Sequence, residues 1–216
     1  MSKRFAALSA LALSLLGGTV AQAAPISGAQ PLTVAGVSFS NFSCTLTGAG
    51  AAFPGACSQI TVGANPQGNG IEFSSGFTAL PLSFKDATIN YSASDAAGIT
   101  GVSLGFNGTF MGLAISSVTE TIRDAATNKQ VGFLSVSCSV IDCTRNDPEV
   151  GFIPLGGSYT DLLIEKDIDV AAFAGTAQIS IIDQGFQTVP EPASMALLGT
   201  GLLGLGFIRR RSQKAA

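Results

Sequence analysis

From Val37 to Phe186 apolar residues recur at every second position in short runs, and no apolar period of 3.6 residues is sustained anywhere in that span. Extended chain sends successive side chains to opposite faces, so each run has one face fit for a core and one fit for water. Val37 and Phe39 share a face; Phe42, Cys44 and Leu46 resume the alternation one residue out of step, as a β-bulge allows. Ile89 with Tyr91, then Val102, Leu104 and Phe106, continue the pattern up to Asn107-Gly108, a hairpin-type turn pair. Leu113 and Ile115 are followed by Val118 after another shift of step, and Val131 and Phe133 are set against Leu134, Val136, Cys138 and Val140. Two runs, 159–173 and 176–186, finish the set. Between them lie clusters such as "VGANPQGNG" and "NDPEVGFIPLGG", whose residues supply turn geometry. The pattern predicts an all-β domain, an antiparallel β-sandwich or jelly roll, over residues 24–188. Pro25 to Gly36 reads as a loose lead-in. Fourteen phenylalanines and no tryptophan predict a core of Phe, Ile, Val and Leu.

The two ends obey different rules. Residues 1–23 carry Lys3 and Arg4, an apolar stretch from Phe5 to Leu16, and small residues at Ala21 and Ala23. That is the order of a secretory signal peptide, an N-terminal signal helix removed by signal peptidase after Ala23. At the other end, residues 189–192 form a proline-bearing stalk, 193–208 an apolar run, and 209–216 a basic tail containing Arg209, Arg210 and Arg211. The sixteen residues of this run make a helix of about 24 Å, short of a hydrocarbon core of about 30 Å. Flanking arginines extend its reach by snorkelling and place that end in the cytoplasm. The expected result is a C-terminal transmembrane helix that tethers the body outside the inner membrane as a marginal, temporary anchor. Gly199, Gly201 and Gly204 spell a dinucleotide-like pattern, but no strand–helix unit surrounds them, and they belong to the apolar run.

Charge and cysteine usage sharpen the picture. With both ends removed, five basic and thirteen acidic residues remain in 24–188, a net charge of −8. An acidic body without a basic cluster argues against nucleic acid as a partner. The chain has no histidine, which excludes Ser-His-Asp and Cys-His catalysis and histidine metal ligands. Four cysteines in an exported chain predict disulfides. Of the three connectivities, spacing favours Cys44–Cys57 and Cys138–Cys143, each closing a local, turn-rich loop.

The tail, Pro190-Glu191-Pro192 followed by an apolar helix and then Arg209 to Arg211, resembles the PEP-CTERM sorting signal of Gram-negative bacteria. The resemblance implies recognition by an exosortase, an integral-membrane transpeptidase-like enzyme that cuts near the motif and releases or transfers the body. Segments of the body, "VSFSNFSCTLTG" and "KDIDVAAFAGTAQISIIDQGFQTVPEP" among them, are similar to exported proteins that bear this tail and accompany exopolysaccharide production. The implied setting is cell surface, extracellular matrix or biofilm.

No catalytic residues and no cofactor emerge from the sequence, and the chain is not expected to be an enzyme. Asp142, Asp147 and Glu149 are weak candidates for calcium ligands, and Asp167 with Asp169, on one face of a strand, offers similar hard oxygen donors. Glu72, Glu120 and Glu165 would have to converge for carboxylate-only glycoside hydrolysis, and no motif brings two of them together. The expectation is an exported structural or interaction protein of the envelope. The alternative is a lectin-like, calcium-dependent module acting on exopolysaccharide.

Overall fold

The computed structural model describes residues 23–140, 143–144, 151–190 and Thr200. The architecture is all-β, a curled antiparallel sheet of eleven strands. Four strands organise it: β3 (Val37–Ala49), β7 (Ser83–Phe106), β8 (Thr109–Asp124) and β11 (Ile153–Thr188). β6 (Gly70–Ala79) and β9 (Gln130–Ser139) flank them. Shorter pieces complete the edges: β1 (Ala24–Pro25), β2 (Leu32–Val34), β4 (Ala52–Phe53), β5 (Thr61–Ala64) and β10 (Cys143–Thr144).

The curl comes from β7 and β11, which each serve two halves of the sheet. Residues 161–172 of β11 lie between residues 83–94 of β7 and residues 114–124 of β8. After a bulge at Phe173, residues 177–185 of β11 pair with β6, and residues 182–188 pair with the far half of β7. The two runs expected as separate strands are therefore one 36-residue strand that turns the corner. The halves face each other across one core. Phe39 on β3 meets Phe186 at 5.0 Å, and Tyr91 on β7 meets Phe73 on β6 at 5.6 Å. The phenylalanine- and isoleucine-rich core expected from composition is present, with Phe39, Phe73, Phe77, Ile89, Ile99 and Ile122 fully buried.

Local expectations fare unevenly. The bulge in β3 occurs where the alternation slips: the register with β7 shifts between Ser40 and Ser43, and Asn41 takes a left-handed φ of 57°. The Asn107-Gly108 pair does not make a hairpin. β7 and β8 are not partners; β11 runs between them, and neither residue has a positive φ. Asn107 instead bridges to the irregular point of β11, its side-chain oxygen accepting from the amides of Ser180 and Ile181. β8 also has no shift between Ile115 and Val118. Its alternation runs unbroken, so Val118 points inward while Leu113 and Ile115 point to solvent. The lead-in is tied down at Ile26, which is buried and donates its amide to Ile60 at 2.8 Å.

Cys44 and Cys57 form a disulfide, as the spacing predicts, fastening the 3-10 turn Cys57–Gln59 to β3. Cys138 is disulfide-bonded too, and its backbone stands opposite that of Cys143 in the β9–β10 ladder. Among the described residues no helix is long and apolar enough to cross a membrane. The expected signal helix and transmembrane helix fall outside those residues but for Ala23 and Thr200, the latter helical.

Candidate functional site

The outer face of the β3–β7–β11–β8–β9 half carries the polar chemistry of the body. Alternation places residues 161, 163, 165, 167, 169 and 171 of β11 outward, beside the even-numbered residues 84–92 of β7. In this register Asp169 stands opposite Asp86 and Asp167 opposite Thr88. One carboxylate oxygen from each of Asp86, Asp167 and Asp169 fits within a sphere of contacts no wider than 4.8 Å. Thr47 on β3 donates to Asp86 Oδ2 at 3.2 Å. Like charges directly across a ladder repel, and the strain appears in proton affinity. Partial burial first, then the charges of Asp169 and Asp86, push the Asp167 carboxyl up to about 6. Asp169 is raised by burial and by Asp86.

This arrangement has a pH signature. The folded value of Asp167 lies above its ordinary value of 3.8, so the folded chain holds that proton more tightly than the unfolded chain. The cluster favours folding most below about pH 4, loses that contribution as pH climbs through about 6, and is level above. Asp167→Asn should flatten this slope and raise the melting temperature at pH 7 by on the order of 2 °C, a small figure because the group is largely solvated. Melting curves at pH 4.5 and pH 7 check it; a variant with the parent's pH slope would contradict it.

Toward the stalk end the same face opens into a cleft of about 440 Å³, lined by Asn41, Asn90, Ser92, Thr121, Arg123 and Glu165 among others. Toward the opposite end it becomes apolar. Leu82, Phe84, Met111, Leu113, Ile115 and Phe173 are exposed there, Leu82 and Phe173 to 75% and 70%. The ladder makes them neighbours: Phe84 and Ile115 both pair with Ala171, and Leu113 pairs with Ala174 beside the Phe173 bulge. The chain leaves the domain at the other end of the sheet, where Thr188 pairs with Ile99 and Val189 donates its amide to Gly98. The ten residue steps of β7 from Phe84 to Ser94 span about 33 Å.

A second polar group is sealed inside. Lys166, Glu120 and Gln184 are fully buried. Lys166 Nζ bridges to Glu120 Oε2 across the β11–β8 ladder and donates to Gln184 Oε1 at 2.7 Å. The Phe73 ring lies 5.9 Å from the ammonium. Burial drives the Lys166 ammonium down and the Glu120 carboxyl up, and their mutual attraction opposes both shifts. Parity could have revealed this pair: Lys166 lies in step with Ile164 and Ile168, and Glu120 with Val118 and Ile122.

Of the residues singled out from sequence, Asp167 and Asp169 are brought together and joined by Asp86. The three glutamates are dispersed: Glu120 is interior, Glu165 is exposed on the outer face, and Glu72 on β6 accepts from Ser74. Pro190 and Ala23 are exposed at the two ends of the described chain. Glu191, Pro192, Arg209, Arg210, Arg211, Ala21, Asp142, Asp147 and Glu149 lie outside the described residues.

Residues 188–211 match the model of the PEP-CTERM protein-sorting motif. This is a PEP-CTERM sorting domain-containing protein. The motif implies export and transient anchoring through the C-terminus, and here it begins at the last residue of β11. No curated protein matches the chain. Among solved structures, TmCBM61 in complex with beta-1,4-galactotriose is similar at 10% identity, covering 68% of this chain and 88% of that one, with a TM-score of 0.35. The enzymatically active domain of tailspike protein 4 of bacteriophage CBA120 is similar at 15% identity, covering 68% and 20%, with a TM-score of 0.30. Scores this low carry no argument about fold or function.

Proposed function

We propose that this PEP-CTERM protein is a non-enzymatic structural or interaction protein of the cell envelope, extracellular matrix or biofilm. Signal peptidase and an exosortase process its ends. It passes through a stage in which residues 193–208 hold it in the inner membrane with the body in the periplasm, and it then reaches the cell surface or the exterior. The body, 24–188, is read as a sandwich whose outer faces meet partners, and nucleic acid is not among them given its charge of −8.

The observation that carries the interaction role is the apolar face at the end remote from the stalk. At roughly 150–200 Å² per fully exposed side chain, its six large residues present on the order of 600 Å², at the top of the range for a monomer and near one partner's share of a standard interface. The loop and strand segments that build it, 80–84, 109–115 and 171–176, contain no charged residue. A second copy fits such a surface: it buries the apolar area against its like while the acidic remainder stays in water. Sedimentation equilibrium on the released body should show a dimer, and Leu82→Ser with Phe173→Ser should weaken it at least tenfold. A parent that stays monomeric at high micromolar concentration overturns this reading.

The polar cleft and the Asp86–Asp167–Asp169 group favour a second reading, a lectin-like, calcium-dependent module acting on exopolysaccharide. Three carboxylates can supply part of the six to eight oxygens that Ca²⁺ takes. A glycan array with and without Ca²⁺, beside melting curves in both conditions, tests it. Binding that Ca²⁺ strengthens and Asp169→Asn removes supports the module; no binding and no thermal response dismiss it.

A further inference from the structure

The Lys166–Glu120–Gln184 group has the parts of a self-modifying site. Three polar side chains from two strands meet in the core: Glu120 interacts with both Lys166 and Gln184, while Gln184 Nε2 and Glu120 Oε1 lack a closely aligned hydrogen bond. Burying an ion pair is costly, because each charge gives up hydration that mutual attraction only partly restores. A chain that retained such a group solely for stability would do better with apolar residues of the same volume. The arrangement invites a reaction that consumes both charges.

We propose that Lys166 and Gln184 join through an intramolecular isopeptide bond, with Glu120 carrying the protons. Lys166 Nζ already donates to the carbonyl oxygen of the Gln184 amide at 2.7 Å, which holds the nitrogen beside the carbonyl group whose carbon it must reach. Holding two groups at this range in one molecule replaces a bimolecular encounter with a unimolecular step. Burial raises the proton affinity of Glu120 and lowers that of Lys166, which eases transfer of a proton from Nζ to the carboxylate, and that transfer leaves a free amine, the nucleophilic form of lysine.

The atoms balance as follows. The amine lone pair of Lys166 Nζ forms a bond to Gln184 Cδ. Glu120 takes a proton from Nζ with one carboxyl oxygen and gives one to Nε2 with the other. The Cδ–Nε2 bond breaks with its electron pair on nitrogen, and ammonia leaves. An ammonium, a carboxylate and a primary amide become a secondary amide, a neutral carboxylic acid and ammonia, with nothing oxidised or reduced. The raised proton affinity of Glu120 suits its role as the acid that remains. Gln184 Nε2, beside the Glu120 carboxyl that would protonate it, is the leaving group. The new bond would tie residue 166 in one half of the sheet to residue 184 in the other, closing the corner that β11 turns.

Intact mass spectrometry and peptide mapping of the folded, exported protein test the proposal. The expected result is a loss of one ammonia and recovery of a branched peptide linking Lys166 to Gln184. Mapping is essential because Asn69-Gly70 and Asn107-Gly108 can lose ammonia by forming succinimides. Glu120→Gln, confirmed as folded by circular dichroism, should show the two peptides separate. Separate peptides in the parent overturn the proposal, as does loss of one water with a Lys166–Glu120 link, which would assign the acceptor to the wrong side chain. If Glu120→Gln fails to fold, the parent's peptide map decides alone.

Discussion

Glu120→Ala is expected to destabilise the domain by about 3–5 kcal/mol, because it leaves Lys166 without its partner in an apolar interior. A domain of ordinary stability has about 5–15 kcal/mol in total, so the loss should appear as a fall of roughly 10 °C in melting temperature or as failure to accumulate at 37 °C. The size of the effect follows from position. Glu120 and Lys166 are directly opposed in the β8–β11 ladder, both are fully buried, and the Phe73 ring beside Nζ is a weak substitute for a carboxylate. Lys166→Met combined with Glu120→Leu should recover most of the loss, since apolar replacement of a whole buried pair is often neutral or stabilising. Gln184 then loses its partner at Oε1 and sets a residual cost of about 1–3 kcal/mol. Urea titrations of the parent, the single variant and the double variant check this ordering. A Glu120→Ala protein within 1 kcal/mol of the parent would mean that water reaches Lys166.

The same strands show what a one-dimensional reading can and cannot reach. Local alternation was enough for the strands that run straight, and even for the slip at Asn41, because side-chain parity is a property of the chain itself. The Cys44–Cys57 bond was legible for a related reason: a short loop between cysteines leaves few alternatives. Pairing across strands was not legible. Asp167 and Asp169 could be placed on one face, but Asp86, eighty residues earlier, joins them only through the β7–β11 register. Apolar identity misled at Leu113 and Ile115. Assigning them inward required a shift in β8 that does not exist, and their outward direction is what makes the apolar face. Conversely, the residue type of Lys166 gives no sign of an interior place, although its parity with Ile164 and Ile168 points inward. In both places the strand's geometry outweighed residue type, and both are where this chain departs from an ordinary core and surface.

Those departures fit a molecule with a directed life history. The sheet holds its apolar face about 33 Å from the stalk end. In the proposed route, a tethered C-terminus would keep that face at the end remote from the stalk, and release would leave it free to meet a second copy. Processing at the tail and association at the remote end are therefore separable, and variants in one should leave the other intact.

Replacing Pro190-Glu191-Pro192 by Ala-Gln-Ala should leave most of the protein at full C-terminal length in the inner membrane, with release into the medium falling at least tenfold. The matched motif runs from Thr188 to Arg211, so the altered triplet lies inside it while the body, ending at Thr188, is untouched. Physical chemistry separates two roles within the tail. In the proposed route the apolar run with its arginines would set residence in the bilayer, and the Pro-Glu-Pro segment, whose prolines disfavour helix, would offer a processing enzyme its site. Changing the triplet should stop cutting without loosening the anchor. Changing Arg209, Arg210 and Arg211 to serine should weaken the anchor and its orientation instead. Fractionation followed by mass spectrometry of the C-terminal peptide distinguishes the outcomes. An extracellular parent that retains residues 197–216 would remove cleavage from this account, and unchanged release of the triplet variant would remove the triplet's part in it.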